Sequence, residues 1–146
     1  KAIVSHTGTN KETAAQKNAG TLEVEYVPQG TLAERIRAYG AGLGGVLTPT
    51  GLGTIIQDGK QIVNVDGKDY ILEKPLKADI AFLRANIVDE EGNMVFLGTS
   101  QNFNPLMAMA ADYVVVEAEK LVKKGEIAPE QIHASGIFVD GIYLEK

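Results

Sequence analysis

Between Val27 and Thr54 the chain reads VPQGTLAERIRAYGAGLGGVLTPTGLGT, and the part from Gly40 to Gly53 holds six glycines and one proline. A helix or strand interior does not keep so many glycines, because each gives up more backbone freedom than any other residue when it is fixed. The stretch is therefore read as a loop, ordered or mobile, whose backbone lies close to something. Just before it, Thr31-Leu32-Ala33-Glu34 has the pattern of a capping box, in which the hydroxyl and the carboxylate satisfy free amides at a helix start. The pattern predicts a short helix from Leu32 to about Tyr39, with Gly40 ending it.

The flanking segments alternate between strand and helix signals. Lys1-Ala2-Ile3-Val4-Ser5 reads as a buried strand. Thr9 or Asn10 can cap a helix through about Lys11 to Ala19, with Gly20 at the stopping position. Leu22 to Val27 alternates apolar and acidic side chains, the period of a half-exposed strand that Pro28 ends. Gln61 to Val65 and Lys68 to Leu72 flank Asp66-Gly67, a hairpin signal because both turn residues tolerate positive φ. Ala78 to Ala85 and Met94 to Leu97 read as strands. Asn104-Pro105 opens a helix to about Ala111, with the asparagine as cap and the proline in the first turn. Tyr113 to Val116 (YVVV) is a continuous apolar run, the mark of a strand covered on both faces. Pro129 to Ile132 suggests one helical turn and Gly136 to Val139 a last strand. The alternation predicts a single α/β domain: a largely parallel sheet flanked by helices, plus a β-hairpin.

Length and composition narrow the function. A chain of 146 residues can bury a core of its own. Its formal charge of −5 gives no clustered basic surface for nucleic acid. With no cysteine, disulfide and thiolate chemistry within the chain are excluded, which fits a reducing, cytoplasmic setting. No apolar run reaches the roughly 18 residues of a membrane span.

Several residues are candidates for chemistry. Gln29-Gly30-Thr31 stands where a strand gives way to a helix, a place where ligands and developing negative charge gather. Gln29 can donate to a ligand oxygen there, or it can simply satisfy a turn. Gly42 and Gly44 can let a substrate approach the backbone, or serve tight packing. Thr50 and Gly51, within Thr48-Pro49-Thr50-Gly51-Leu52-Gly53-Thr54, lie on a constrained loop with free hydroxyls and amides, or on a structural turn. Asn102, within Ser100-Gln101-Asn102-Phe103-Asn104, contacts substrate or helps start the following helix. His6 and His133 form no metal or general-base pattern, and the former reads as a strand-end residue, the latter as a surface or interface one. The acidic groups Asp89-Glu90-Glu91, Glu117 and Glu119 read as solvated. No metal site is expected.

The PQGTLAERIRAYGAG stretch followed by TPTGLGT resembles the α subunit of the family I CoA-transferases, the 3-oxoacid and acetate/butyrate–acetoacetate group, and the similarity runs from Lys1 to about Tyr143. The resemblance implies a CoA-transferase-like fold. It implies exchange of CoA between a short-chain acyl-CoA or acetoacetyl-CoA and an acid such as acetate. No cofactor is implied beyond CoA as substrate. The reactive glutamate, which forms a glutamyl-CoA thioester, is implied to belong to a β subunit, so this chain contains no catalytic nucleophile and is inactive alone, within an α2β2 or higher assembly. Gln29 and Gly30 are implied to hold the oxygen of the reacting acyl group, and the 48–54 loop to line the substrate. Gln101 stands where the family's SARNFN-type stretch has arginine, so any ion pair made by that arginine is lost. A GGF-type glycine signature of the family is not in the sequence, which leads us to expect the carboxy-terminal portion of an α-subunit domain; a naturally short homologue is the alternative. Competing functions on the same fold are a sugar-phosphate isomerase and a non-catalytic metabolite-binding protein. The isomerase would want phosphate-binding lysines in the glycine loops, whereas Lys60 and Lys68 flank another segment.

Overall fold

The computed structural model describes residues Lys1 to Glu145, which form an α/β chain. They pack as two compact units, one of Lys1–Arg35 with Gly44–Pro75, the other of Ile36–Leu43 with the segment from Leu76 onward.

In the first unit, β1 (Ala2–Val4) pairs in parallel with β2 (Val24–Tyr26), Val4 lying opposite Tyr26. The connecting helix α1 (Lys11–Asn18) is capped by Asn10, whose extended backbone lets its side chain accept from the Thr13 amide at 2.9 Å. Helix α2 spans Gln29–Gly40 and so begins three residues before the expected Leu32. The Pro28 carbonyl already accepts from the Leu32 amide at 2.8 Å, so the helical ladder starts there and Thr31 is buried in the first turn instead of capping it. The second sheet is antiparallel, in the order β3 (Val46–Thr48), β5 (Lys68–Glu73), β4 (Ile62–Val65). The hairpin between β4 and β5 turns on Asp66 at φ 50° and Gly67 at φ 81°, the positive pair that its sequence predicts. Strand β3 is not expected from the sequence. It lies inside the glycine-rich stretch and owes its conformation to pairing, Val46 opposite Glu73 and Thr48 opposite Ile71.

In the second unit, a four-stranded sheet has the order β7 (Met94–Val95), β6 (Ala78–Asp89), β8 (Ala111–Val122), β9 (Gly141–Leu144). β6, β8 and β9 run parallel and β7 antiparallel. Leu83, Ala85, Val114, Val116 and Ala118 face one side, where Met94, Phe96 and Ala108 of helix α3 (Asn104–Ala108) pack against them. Each large side chain there contributes about 1.5–3 kcal/mol of burial.

Two expectations change in this unit. Tyr113–Val116 is covered on one face only among the described residues: Val114 and Val116 are buried, while Tyr113 and its register partner Ile80 are exposed, as is Phe82. The segment Gly136–Phe138 is a single 3₁₀ turn, and the last strand is β9. Gly136 sits so close to the turn after β6 that a methyl group on it would overlap the Glu91 carbonyl oxygen. That turn is organised by Asp89, which is not solvated as expected. Its buried carboxylate accepts from the amides of Glu91 and Asn93 and from Asn93 Nδ2, at 2.8–3.0 Å.

Candidate functional site

The parallel pair β1–β2 defines the first site. Both strands end on the same side, and the Val27 amide donates to the Val4 carbonyl at 2.9 Å, which brings Ser5 beside the start of α2. Gln29 opens that helix, and both it and Gly30 are exposed. The Ser5 hydroxyl donates to Gln29 Oε1 at 2.8 Å. With its acceptor end engaged, the amide of Gln29 has Nε2 as its outward group, a donor at the positive end of a helix dipole. A methyl group built on Gly30 would meet no atom within 4 Å, so the approach to this helix end is open.

Around it, His6 Nδ1 lies 3.2 Å from Ser5 Oγ, and His6 Nε2 lies 3.3 Å from Thr9 Oγ1. Thr7 Oγ1 and the Tyr26 hydroxyl are 3.0 Å apart, with Lys17 over the Tyr26 ring. That hydrogen bond first, and Lys17 second, hold the Tyr26 phenol below its usual range. Glu25, on the same strand, is held below the ordinary carboxylate range chiefly by Arg35 and then by Lys1.

The loop after β3 is ordered by its own hydrogen bonds. Thr54 Oγ1 donates to the Gly51 carbonyl at 2.7 Å, and the Gly53 amide donates to Gln57 Oε1 at 2.8 Å. Thr48 Oγ1 accepts from the Thr50 amide at 3.2 Å. Gly51 has φ 99°, and a methyl group there would lie 2.7 Å from Ile56 Cγ2, so both backbone and packing call for glycine. Thr50 is exposed at the crest of this loop, and Gly44 precedes β3 with open space around it. The sheet that carries the loop is tied at its other end by Glu73, whose buried carboxylate meets Lys60 Nζ at 2.6 Å and Arg35 Nε at 4.0 Å.

The other two candidates belong to the second unit. Gly42 ends α2: its amide donates to the Tyr39 carbonyl and the Leu43 amide to that of Ala38, the paired bonds of a Schellman motif, with Gly42 at φ 68°. Helix termination thus explains this glycine, two residues beyond the expected Gly40. Gly40 is required for another reason, since a methyl group there would stand 2.5 Å from Met109 Cβ. Asn102 is exposed with φ 38°, ψ −129°, a backbone conformation that few side chains adopt. Asn104 is not the helix cap. Phe103 holds that position, while the Asn104 side chain bonds the Ser100 carbonyl at 2.9 Å and accepts from the Arg84 amide at 3.3 Å. His133 accepts from the Phe96 amide through Nδ1 at 3.0 Å and stacks on that ring. Ser5, which no sequence motif singles out, is the residue that the structure adds to the site. Its partner lies 24 positions away, and no local pattern announces it.

A family model described as Coenzyme A transferase matches residues 1–145. The chain belongs to the coenzyme A transferase family. Within the family it is 49% identical to the alpha subunit of the acetate CoA-transferase of Escherichia coli K12, covering 100% of this chain and 66% of that one. It is 50% identical to the alpha subunit of the acetoacetyl-CoA:acetate/butyrate CoA transferase of Clostridium acetobutylicum, covering 99% and 66%. It is likewise 50% identical to a subunit of the succinyl-CoA:3-ketoacid coenzyme A transferase of Xanthomonas campestris, of which it covers 60%. The chain therefore spans just under two thirds of the length of these relatives. Among solved structures, glutaconate coenzyme A-transferase of Acidaminococcus fermentans shares the fold with a TM-score of 0.85 at 18% identity, over 99% of this chain and 55% of that one. The AibA/AibB decarboxylase matches 91% of this chain and 50% of its own at a TM-score of 0.75 and 25% identity, so the CoA-transferase-like fold also houses a different reaction. Among the described residues no helix is long and apolar enough to cross a membrane.

Proposed function

We propose that this chain acts as the α subunit of a CoA-transferase that moves CoA between a short-chain acyl-CoA or acetoacetyl-CoA and a carboxylic acid such as acetate. A β subunit supplies the glutamate that carries CoA as a thioester, and the two associate as α2β2 or a higher assembly. Splitting acyl exchange into two steps through a covalent thioester lowers each barrier. The role proposed for this chain is electrostatic: Gln29 Nε2 donates to the oxygen on which negative charge grows, with Gly30 leaving room for it. Such preorganised donors usually supply the largest catalytic contribution. Thr50, Gly51, Gly44 and Asn102 are proposed to line the substrate, and Gly42 to shape the same stretch.

The observation that carries this reading is the Gln29 amide at an open helix amino terminus, its Oε1 accepting from Ser5 so that Nε2 is the group left to donate. The names of the relatives support the substrate class. A sugar-phosphate isomerase is disfavoured because the stretch from Gly40 to Thr54 contains no lysine, arginine or histidine to hold a phosphate. The test is to co-express the full-length chain with its companion subunit, following CoA exchange between acetate and acetoacetyl-CoA. Gln29→Ala should lower kcat by about 10² while the complex elutes unchanged. Turnover at the wild-type rate in that variant would remove Gln29 from the mechanism, and full activity of the chain without a companion would remove the shared-site reading altogether.

A further inference from the structure

We propose that Ser5 is a positioning residue for Gln29, its single hydroxyl proton committed to the Gln29 side chain; this rests on the function proposed above. Counting protons fixes the direction of each bond. A serine hydroxyl has one proton, and Gln29 Oε1 is an acceptor only. At 2.8 Å the bond between them therefore uses the Ser5 proton. Ser5 Oγ can then only accept from its second neighbour, His6 Nδ1, at 3.2 Å. This requires the proton of a neutral His6 ring to sit on Nδ1, which leaves Nε2 to accept from the Thr9 hydroxyl at 3.3 Å. The chain of donors runs one way, from Thr9 through His6 and Ser5 to Gln29, and the Nε2 amide protons of Gln29 remain for a ligand.

The direction matters because the terminal torsion of glutamine is broad and roughly two-fold. Without Ser5, the amide can turn over and present Oε1 where Nε2 had been. A lone pair would then face the oxygen that gains charge, and the donor would be lost in that part of the population. Ser5 touches neither substrate nor reacting atom in this scheme. Its effect is confined to kcat, because a ground-state carbonyl depends less on the donor than the charged oxygen does.

The experiment is a mutant cycle in the full-length chain assembled with its companion subunit, with kcat and KM measured for CoA exchange between acetate and acetoacetyl-CoA. Ser5→Ala should lower kcat about 3- to 10-fold, the effect of losing one neutral hydrogen bond, with KM nearly unchanged. Ser5→Thr, which keeps the hydroxyl, should return kcat to within about two-fold of wild type. On the Gln29→Ala background, Ser5→Ala should have no further effect, since there is no amide left to orient. If Ser5→Ala fails to assemble, Ser5→Cys takes its place, being of similar size with a much weaker donor. A wild-type kcat for Ser5→Ala beside a large loss for Gln29→Ala overturns the positioning role and leaves the function intact. An equal loss from Ser5→Ala with and without Gln29 also overturns it. A wild-type rate for Gln29→Ala sinks the reading of Gln29 itself, and the positioning role with it.

Discussion

Breaking the Lys60–Glu73 pair should cost more from one side than from the other. The Glu73 side chain is 2% exposed and that of Lys60 24%, with 2.6 Å between Nζ and Oε1. Removing one member of a buried pair typically costs about 3–5 kcal/mol, because the other charge is left without compensation. Here Lys60→Met leaves Glu73 with Arg35 Nε at 4.0 Å. That residual attraction is on the order of 4 kcal/mol at an effective dielectric of about 20, so the expected loss falls to about 2–3 kcal/mol. Glu73→Gln keeps an acceptor and leaves a lysine that can reach water, with Arg35 still bound to Glu25 and to the Lys74 carbonyl. Its cost should be about 1–2 kcal/mol. The double variant should cost about 2 kcal/mol less than the sum. Urea denaturation followed by circular dichroism measures all three. Additive losses to within about 0.5 kcal/mol, or a larger loss from Glu73→Gln than from Lys60→Met, would show that burial of the pair does not anchor β5 as argued.

Gly136→Ala should destabilise by more than about 3 kcal/mol, because its methyl group would overlap the Glu91 carbonyl, and a retreat strains the hydrogen bond that the Gly136 N–H donates to Asn93 Oδ1. Gly8→Ala, with open space around it, should lie within about 0.5 kcal/mol of wild type, and thermal melts of the two variants check the contrast. Glu25 supplies a pH test. Its folded carboxyl titrates below the ordinary value of 4.5, so the stability it contributes is present above that value and fades as pH falls through the folded one. Glu25→Gln should therefore be less stable than wild type at neutral pH, by under about 1 kcal/mol for so exposed a group. The difference should vanish in acid, and a gap that persisted at low pH would contradict the assignment.

What was legible in the sequence was what local chemistry decides. Asp66-Gly67 encodes its own turn, and of the two caps that the sequence offers, Thr9 and Asn10, Asn10 is the one used. Apolar runs announced parts of the long parallel strands, Ala78–Ala85 of β6 and Tyr113–Val116 of β8, but not their full length. Elements set by distant partners were not legible. Val46–Thr48 becomes a strand only because β5 lies beside it. Thr31 and Glu34 imitate a capping box, yet the Pro28 carbonyl starts the ladder sooner. The GIFV run at 136–139 has the composition of a strand, yet Gly136–Phe138 forms a 3₁₀ turn capped by Ser135, whose hydroxyl accepts from the Ile137 amide. The candidate site divides in the same way. Gln29 could be picked from a motif, whereas Ser5 gains its meaning only once β1 and β2 align.

The amide of Gln29 and the hydroxyl of Ser5 share a trait that carboxylates and imidazoles lack: neither gains or loses a proton in any solution the protein tolerates. An acyl-exchange catalyst built on such a donor would keep that donor working as cellular acidity drifts, and any pH profile it displays would be the signature of groups elsewhere in the active site.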